Sequence, residues 1–230
     1  MKECVVKKTI IVVFCSTAYK DKNWIQIRKY FTNKGMDLRV YTSIFENGED
    51  QLSNLIEDLK QEAKDEEDKQ NEEPEEEVDK CDDILERLKY MDCPQDENEE
   101  KVKKPKKCKF QAPEYMIIFD DLSSELKSKS LLSLLKFNRH FKSKLIISSQ
   151  WLHDLLPESR KQIDLFMIFK GFPDKKLEHI YRDCDSSVEF DVFCKMYKKA
   201  TEKPHSFLYI DTRADQFRRN FNKKFVLSDA

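Results

Sequence analysis

The chain has 230 residues, enough for one domain with a sizeable core, since 39% of them are hydrophobic and 11% are aromatic. Its seven cysteines form no Cys-x-x-Cys pair and are not spaced with histidines, which argues against a zinc module, and their odd number argues against a secreted disulfide scaffold. The longest apolar runs are too short to span a bilayer, so we expect an intracellular protein without membrane partners.

The net charge of −2 hides a strong asymmetry along the chain. Residues 57–100 hold 21 of the 44 acidic residues and 6 of the 42 basic ones, which leaves a surplus of 13 basic residues elsewhere. A basic surplus of this kind favours a polyanionic partner such as nucleic acid. A generally lysine-rich proteome would produce the same surplus.

The beginning of the chain predicts a parallel pair of strands joined by a helix. Residues 9–15 are a continuous β-branched run typical of a buried strand, and residues 22–31 have helical spacing that Gly35 closes. Residues 37–42 alternate as a second strand. A strand, helix and strand in this order pair in parallel.

An acidic tract follows, and it divides the chain into three parts. After a short helix around residues 52–59, the run of acids predicts solvated helix or disorder as far as residue 109. The tract ends in a basic patch at residues 101–109, which is either a tether, a nuclear-import signal or a phosphate contact. We therefore expect a first part of the core in residues 1–56, a flexible insertion in 57–109 and the rest of the core in 110–230.

The most informative stretch is residues 114–153. Residues 115–119 form an apolar run typical of a strand buried on both faces, and it ends at Asp120 and Asp121. Ligands of open α/β sheets bind outside the carboxyl ends of the strands, so these acids are placed to hold a metal ion or to polarise water, as in a Walker B element. Many α/β proteins also have apolar strands that simply end in Asp.

A second strand tip strengthens the functional interpretation. An amphipathic helix over residues 131–137 leads to a second buried strand at residues 144–149, which ends on Gln150. In nucleotide-hydrolysing sheets, a polar side chain on the neighbouring strand often lies near the γ-phosphate.

The end of the chain predicts two more strands. Residues 163–169 read as a buried strand, Asp174 as the cap of a helix, residues 188–200 as another helix and residues 206–210 as the last strand. About six strands that alternate with helices predict a mostly parallel, three-layer α/β sheet. The remaining residues form a basic terminus that either lines a DNA channel or is a solvated helix face; its basic residues are Arg213, Arg218, Arg219, Lys223 and Lys224.

The segments MIIFDDL (116–122), NRHF (138–141) and KLIISSQ (144–150) resemble the poxvirus-type DNA-packaging ATPases of the FtsK-HerA superfamily, which are viral or come from Polinton- and virophage-like elements. The resemblance extends over residues 113–221, with a weaker match over residues 9–42. It implies a RecA-like P-loop NTPase fold and a motor subunit that couples ATP hydrolysis to DNA translocation into a capsid.

The resemblance also implies roles for individual residues. Asp120 would bind Mg²⁺ and through it the nucleotide, Asp121 would polarise the attacking water, and Gln150 would sense the γ-phosphate. Arg139 and Arg160 are candidates for the arginine that one ring subunit inserts into the site of its neighbour. For each arginine, a surface salt bridge is the alternative.

The implied cofactors are ATP and Mg²⁺, both only if a P-loop is supplied. The implied partners are double-stranded DNA, a viral capsid or portal-like vertex, and further copies of the chain in a homo-oligomeric ring. The implied location is the virion or the cytoplasm or nucleus of the host cell, and not the secreted compartment.

One family element is absent from the sequence. No segment matches the phosphate loop G-x-x-x-x-G-K-[ST], and Gly35, Gly48 and Gly171 are the only glycines. We expect either a part of a split gene whose upstream sequence encodes the loop, or a degenerate relative that no longer hydrolyses ATP. Without the P-loop strand, we also expect a hole or an unpaired edge beside residues 115–119.

Two rival classes remain. A catalytically dead DNA-binding or assembly subunit would keep the fold and the basic surface alone. A metal-dependent nuclease is suggested by Glu125 and Lys127 after Asp120, but such an enzyme needs this pair on the adjacent strand. Binding of a labelled ATP analogue would separate these classes.

Overall fold

The computed structural model of the protein describes residues 5–72 and 114–225. These residues form a parallel sheet, a separate antiparallel sheet and a short hairpin, covered by helices. The strands are β1 (Ile10–Cys15), β2 (Leu38–Tyr41), β3 (Phe45–Glu46), β4 (Glu49–Asp50), β5 (Tyr115–Asp120), β6 (Ser143–Ser148), β7 (Leu165–Phe169), β8 (Phe207–Asp211), β9 (Gln216–Arg219) and β10 (Lys223–Lys224). The α-helices are α1 (Lys22–Asn33), α2 (Gln51–Glu72), α3 (Lys129–Phe137), α4 (Pro157–Arg160), α5 (Asp174–Cys184) and α6 (Phe190–Ala200).

The first sheet consists of four parallel strands in the order β2-β1-β5-β6. β1 pairs with β2 through the crossover that residues 9–42 predict, and α1 forms that crossover. On its other side β1 pairs with β5, which in turn pairs with β6. The predicted α/β class with a mostly parallel sheet is therefore confirmed, and the strand that ends in Asp120 lies in the sheet interior.

The expected hole beside β5 is wrong, because β5 has a strand partner on each side. The edge strands are β2 and β6, and the outer side of β6 has no strand partner in the described part of the chain. Leu145 and Ile147 pack against the core, but Ile146 on the opposite face is 37% exposed. The prediction of a buried strand at residues 144–149 is therefore wrong in its burial, because the side chains from residue 144 to residue 148 alternate between exposed and half-buried.

Side chains alternate between the two faces of the parallel sheet, as the pleat of a strand requires. One face packs with α2 and α3; its central side chains are Val12, Phe14, Ile117 and Phe119. The other face packs with α1; its central side chains are Ile11, Val13, Met116 and Ile118.

A stack of three aromatic rings crosses the parallel sheet near its carboxyl end. The ring centroid of Phe14 lies 4.9 Å from that of Tyr41 and 5.1 Å from that of Phe119, and both pairs are stacked. Such pairs contribute about 1 kcal/mol each beyond the burial of their surface. Phe14 and Phe119 directly precede Cys15 and Asp120, so the stack stabilises β1 and β5 next to their carboxyl ends.

The second sheet is antiparallel, in the order β10-β9-β8-β7. The strands predicted at residues 163–169 and 206–210 exist as β7 and β8, but they lie here and not in the parallel sheet. One face of this sheet packs against α5 and α6 in a core of its own. Leu165, Met167 and Phe169 on the other face are each about half exposed, so β7 is buried on one face only.

Several helix predictions change in detail. The helix expected around residues 52–59 continues to Glu72, so the predicted boundary between residues 56 and 57 falls inside α2. Asp174 is the first residue of α5 and not its cap; Pro173 holds the cap position without a side-chain hydrogen bond. The basic terminus is not a helix face, since its residues lie in or beside β9 and β10.

The basic patch at residues 101–109 and most of the acidic tract lie outside the described residues. Cys15, Cys184 and Cys194 are free thiols, as expected for the described cysteines. Among the helices that the structure describes, none is both long enough and apolar enough to cross a membrane.

Candidate functional site

Three parallel strands end at the same level. Cys15 of β1 is opposite Asp120 of β5, and Asp120 is opposite Ser148 of β6. The residues that follow these strands therefore form one row at the carboxyl edge of the sheet, where open α/β sheets bind their ligands. The structure brings Asp120 and Asp121 to the middle of this row.

The carboxylate of Asp120 is held on the α1 side of the sheet. The indole Nε1–H of Trp24 donates a hydrogen bond of 2.8 Å to Oδ2 of Asp120, and the Sγ of Cys15 lies 4.0 Å from the same oxygen. No described residue makes a hydrogen bond to Oδ1. One oxygen of Asp120 is thus engaged by the protein, and the other is left for a ligand.

The Trp24 side chain is fixed by its position in the first turn of α1. Asp21 caps this helix, and its Oδ1 accepts hydrogen bonds from the backbone N–H groups of Asn23 (2.6 Å) and Trp24 (3.1 Å). The indole packs between α1 and the sheet and is only 8% exposed. A capped helix start and a buried ring therefore hold the donor in place.

The carboxylate of Asp121 has a different partner from the carboxylate of Asp120. Its backbone has a φ of +54°, a left-handed conformation that Asp tolerates better than most residues. The Ser16 hydroxyl, directly after β1, lies 2.7 Å from the Asp121 carbonyl oxygen and 3.2 Å from its Oδ2, and it is the donor for both. Asp121 is exposed and accessible to a water molecule or a ligand.

Cys15 is a buried thiol beside the two carboxylates. Burial raises the pKa of Cys15, and the negative charges of Asp120 and Asp121 raise it further, although hydrogen bonds with Thr17 partly oppose these effects. The thiol therefore stays protonated at neutral pH and can donate its weak hydrogen bond toward Asp120.

Gln150 lies two residues beyond Ser148, at the same edge of the sheet, and its side chain is exposed. Ser149 shapes the loop, because its hydroxyl lies 2.8 Å from both the carbonyl oxygen of Trp151 and Oδ2 of Asp154 and donates its one hydrogen to either of them. In the described part of the chain, no hydrogen bond joins Gln150 to either aspartate of the site.

The two candidate arginines have very different surroundings. Arg139 follows α3, has a side chain that is 74% exposed and lies 3.8 Å from Asp164. Arg160 ends the short helix α4, has a side chain that is 11% exposed and forms a 2.7 Å ion pair with Asp183. The structure places neither arginine in contact with Asp120 or Asp121.

Sequence reasoning missed Ser16 and Trp24, which hold the two carboxylates. The Trp24–Asp120 contact spans 96 residues and the Ser16–Asp121 contact spans 105. The only sequence signals are positional: Ser16 directly follows the predicted strand at residues 9–15, and Trp24 lies on the predicted helix after it.

The Glu125 carboxylate has a structural partner of its own. It accepts hydrogen bonds of 2.7 Å from the backbone N–H of Ile44 and 2.8 Å from the Ser43 hydroxyl. Glu125 therefore ties the segment after β5 to the segment after β2. The acid-x-Lys pair of a metal-dependent nuclease is not found on the adjacent strand β6.

Within residues 5–72 and 114–225, no group of three or more His, Cys, Asp or Glu side chains is arranged to hold a metal ion. The site offers one free carboxylate oxygen on Asp120 and the exposed carboxylate of Asp121. This donor set suits Mg²⁺ bound together with substrate phosphates, because Mg²⁺ in such sites takes only one or two protein carboxylates.

The family model described as Poxvirus A32 protein matches residues 80–200 of the chain. The chain is also 31% identical over 106 residues to "Uncharacterized protein 075L" of Invertebrate iridescent virus 6; the match covers 44% of this chain. It spans 41% of the length of that relative.

Solved structures of the genome packaging NTPase B204 from Sulfolobus turreted icosahedral virus 2 are also similar to the chain. The complex with AMP is 15% identical with a TM-score of 0.45, and the match covers 91% of this chain and 95% of that one. The complex with sulfate is 24% identical with a TM-score of 0.38, over 46% of this chain and 52% of that one. These similarities are low, so the family assignment depends on the sequence match.

Proposed function

The chain belongs to the poxvirus A32 protein family, and we propose that it is a genome-packaging ATPase subunit that couples ATP hydrolysis to DNA translocation into a viral capsid. The observation that carries this proposal is the pair of aspartates at the carboxyl end of an interior parallel strand. Trp24 and Ser16 hold the two carboxylates, and one oxygen of Asp120 remains available.

Asp120 is the residue that would hold Mg²⁺ with the nucleotide phosphates. Its Oδ2 is occupied by the Trp24 indole, so Oδ1 is the oxygen that faces a ligand. The ion, when bound, neutralises charge on the β- and γ-phosphates. Asp120 itself supplies a fixed negative charge in a half-buried position.

Asp121 is the residue that would polarise the attacking water. Its exposed carboxylate lies one residue beyond the strand end, and Ser16 restricts its orientation. Gln150, on the neighbouring strand end, would orient the same water or contact the γ-phosphate. Its amide can both donate and accept a hydrogen bond, which either contact requires.

Arg139 is the better candidate for the arginine that acts on a neighbouring subunit. A residue that reaches another copy of the chain must be free at the surface, and the Arg139 side chain is 74% exposed. Arg160 would first have to leave a largely buried ion pair with Asp183, which is strongly unfavourable. This function also requires double-stranded DNA, a capsid vertex and further copies of the chain in a ring as partners.

The described sheets also offer edges for the phosphate loop that this sequence lacks. Both β6 and β7 have a side without a strand partner in the described residues. Both edge strands also have exposed apolar side chains. These are Ile146 on β6, and Leu165, Met167 and Phe169 on β7. Ile163 packs against both cores, so the two sheets are neighbours. We propose that a P-loop strand from other sequence pairs with these edges.

The experiment that tests this function is to join the strand, loop and helix of a family relative to the chain and to measure ATP hydrolysis. The completed protein should hydrolyse ATP, and the chain alone should not, because it lacks the N–H cradle and lysine that bind phosphates. A completed protein that folds and binds DNA but does not hydrolyse ATP would favour the rival function, a DNA-binding or assembly subunit without activity.

A further inference from the structure

The structure assigns Trp24 a specific role, as the residue that positions the Asp120 carboxylate for metal binding. No motif of the resemblance includes this tryptophan, and the inference rests on the proposed function of Asp120. Its basis is the 2.8 Å hydrogen bond from Nε1 of Trp24 to Oδ2 of Asp120.

A carboxylate at a strand end has two equivalent oxygens and a side-chain torsion with broad, roughly two-fold preferences. The indole is a donor only and has a single N–H, so it can hold one oxygen and no more. Because it holds Oδ2, the ring restricts the torsion and leaves Oδ1 as the oxygen without a hydrogen bond from a described residue.

The position of the Trp24 ring is fixed by its surroundings as well as by its hydrogen bond to Asp120. The ring is 8% exposed, and its backbone N–H is held by Asp21 at the helix start. Trp24 is the buried residue at the amino end of α1, and Phe31 is the buried one near its carboxyl end. The helix thus packs through two aromatic anchors, and one of them also reaches the site.

The consequence is a link between α1 and the metal ligand. A shift of α1 relative to β5 moves the donor and releases the carboxylate to rotate. Residues that orient a metal ligand without touching the metal typically change metal affinity by about 10- to 100-fold when they are removed. We therefore expect Trp24→Phe, which keeps most of the buried ring, to weaken metal binding by about tenfold or more.

The first measurement uses the indole NMR signals of the full chain, whose two tryptophans are Trp24 and Trp151. Trp151→Phe identifies the Trp24 signal and serves as the matched control, because the Trp151 ring is half exposed and stacks under Lys176 instead. Asp120→Ala should move the Trp24 Nε1–H signal and speed its exchange with water. An unchanged Trp24 signal would overturn the inference.

The second measurement is Mn²⁺ binding, with Mn²⁺ as a paramagnetic substitute for Mg²⁺. Bound Mn²⁺ should broaden the Trp24 indole signal and spare that of Trp151. Trp24→Phe should weaken Mn²⁺ binding by about tenfold, Trp151→Phe should not, and Asp120→Asn should weaken it further while keeping an acceptor for the indole. Equal Mn²⁺ affinity in the wild-type chain and a folded Trp24→Phe variant would overturn the inference and leave the proposed function intact.

Failure of the proposed function and failure of the inference on Trp24 give different experimental results. If the chain completed with a P-loop segment binds no Mn²⁺ in the presence of an ATP analogue, Asp120 is not a metal ligand and the proposed function fails at this residue. The indole measurement needs no metal, so it still decides whether Trp24 holds the carboxylate.

Discussion

Asp120 and Asp121 are adjacent in the sequence, but different residues hold their carboxylates. Asp120 continues the pleat of β5 and faces α1, where Trp24 donates to it. Asp121 has a left-handed backbone and turns toward Ser16. Two neighbouring acids can therefore take separate tasks, because the change in backbone conformation between them gives each its own surroundings.

This separation predicts different effects of two conservative substitutions in the chain completed with a P-loop. Asp121→Asn should lower kcat by about 10²- to 10⁴-fold and largely spare nucleotide binding, because it removes the group that polarises water. Asp120→Asn should instead raise the Mg²⁺ concentration needed for activity, and Gln150→Ala should lower kcat more than it raises KM. Steady-state kinetics at several Mg²⁺ concentrations would measure these effects.

The matched control for these substitutions is Asp58→Asn, which removes the same charge from an exposed position on α2 and should leave kcat near that of the wild type. Full activity of the completed Asp121→Asn protein would show that another residue polarises the water.

Cys184 gives a second prediction at the residue scale. Burial raises the pKa of this thiol from an ordinary value of 9.0 to about 12, with a smaller contribution from Asp183. The folded state therefore keeps the proton while the unfolded state loses it, so the free energy of unfolding falls as the pH rises above about 9. Below pH 9 the contribution of Cys184 is fully present.

At pH 8 we expect Cys184 to resist iodoacetamide in the folded protein and to react after denaturation, as measured by mass spectrometry of the labelled peptides. Cys194, which is less buried, is the internal comparison. Rapid labelling of Cys184 under native conditions would show that α5 opens readily.

At the scale of elements, buried and exposed side chains alternate along β7, although its sequence is apolar throughout. All five residues are apolar, yet only Phe166 and Ile168 are buried, and Leu165, Met167 and Phe169 are exposed. The reason is that α5 and α6 cover one face of the antiparallel sheet. Exposed apolar residues on an edge strand favour association between chains.

Substitution of lysine along β7 should therefore have opposite effects at alternate positions. Met167→Lys should leave the thermal midpoint nearly unchanged and reduce concentration-dependent aggregation of the chain. Ile168→Lys should prevent cooperative unfolding, because a charge buried without a partner costs several kcal/mol. Thermal denaturation and light scattering would measure both effects, and similar results for the two variants would contradict the assigned faces.

The helix α2 crosses from the core into the acidic tract. Its first half is buried through Leu52, Leu55 and Leu59, and farther along the hydroxyl of Tyr115 donates a 2.5 Å hydrogen bond to Glu62. The folded part of the chain therefore extends beyond the predicted boundary after residue 56. Burial and the neighbouring Glu62 both raise the pKa of Tyr115, so its hydroxyl stays protonated and keeps donating.

Replacement of residues 73–100 by a short Gly/Ser linker should leave the thermal midpoint within a few degrees of the parent, because the composition of this stretch provides little apolar surface to bury. Extension of the replacement back to residue 60 should lower the midpoint further, since it removes Ala63, which packs against the core, and Glu62, which accepts the hydrogen bond of Tyr115. Differential scanning calorimetry would separate the two variants, and a large loss in the shorter replacement would show that the tract packs.

At the scale of the whole molecule, the described chain has two sheets with separate cores. The parallel sheet carries the two aspartates, and the antiparallel sheet carries most of the basic terminus. Lys223 and Lys224 on β10 are both exposed, next to Arg218 and Arg219 on β9. The two aspartates and the cationic surface thus lie on different sheets of the molecule.

We expect weak DNA binding that does not depend on base sequence and that falls steeply between low and physiological salt, because phosphate contacts release counterions. Lys223→Gln together with Lys224→Gln should reduce the slope of log affinity against log salt by about 2. Lys34→Gln at the end of α1 is the control with the same type of charge change. Fluorescence anisotropy with a labelled duplex would measure the slopes, and affinity that ignores salt would contradict the prediction.

The sequence by itself determined the local features of this protein. A continuous β-branched run specified β1, an apolar run that ends in two acids specified β5, and helical spacing specified α1 and α3, because each signal lies within a few neighbouring residues. The family followed from short segments around the same strand.

Only the tertiary structure decided which strands pair and which side chains meet. An apolar run such as β7 reads the same in a parallel or an antiparallel sheet, since the pleat alternates in both. The edge position of β6 depends on which partners are present and not on its own residues. Trp24 and Asp120 meet across 96 residues because β1 and β5 are neighbours, and no local pattern encodes that contact.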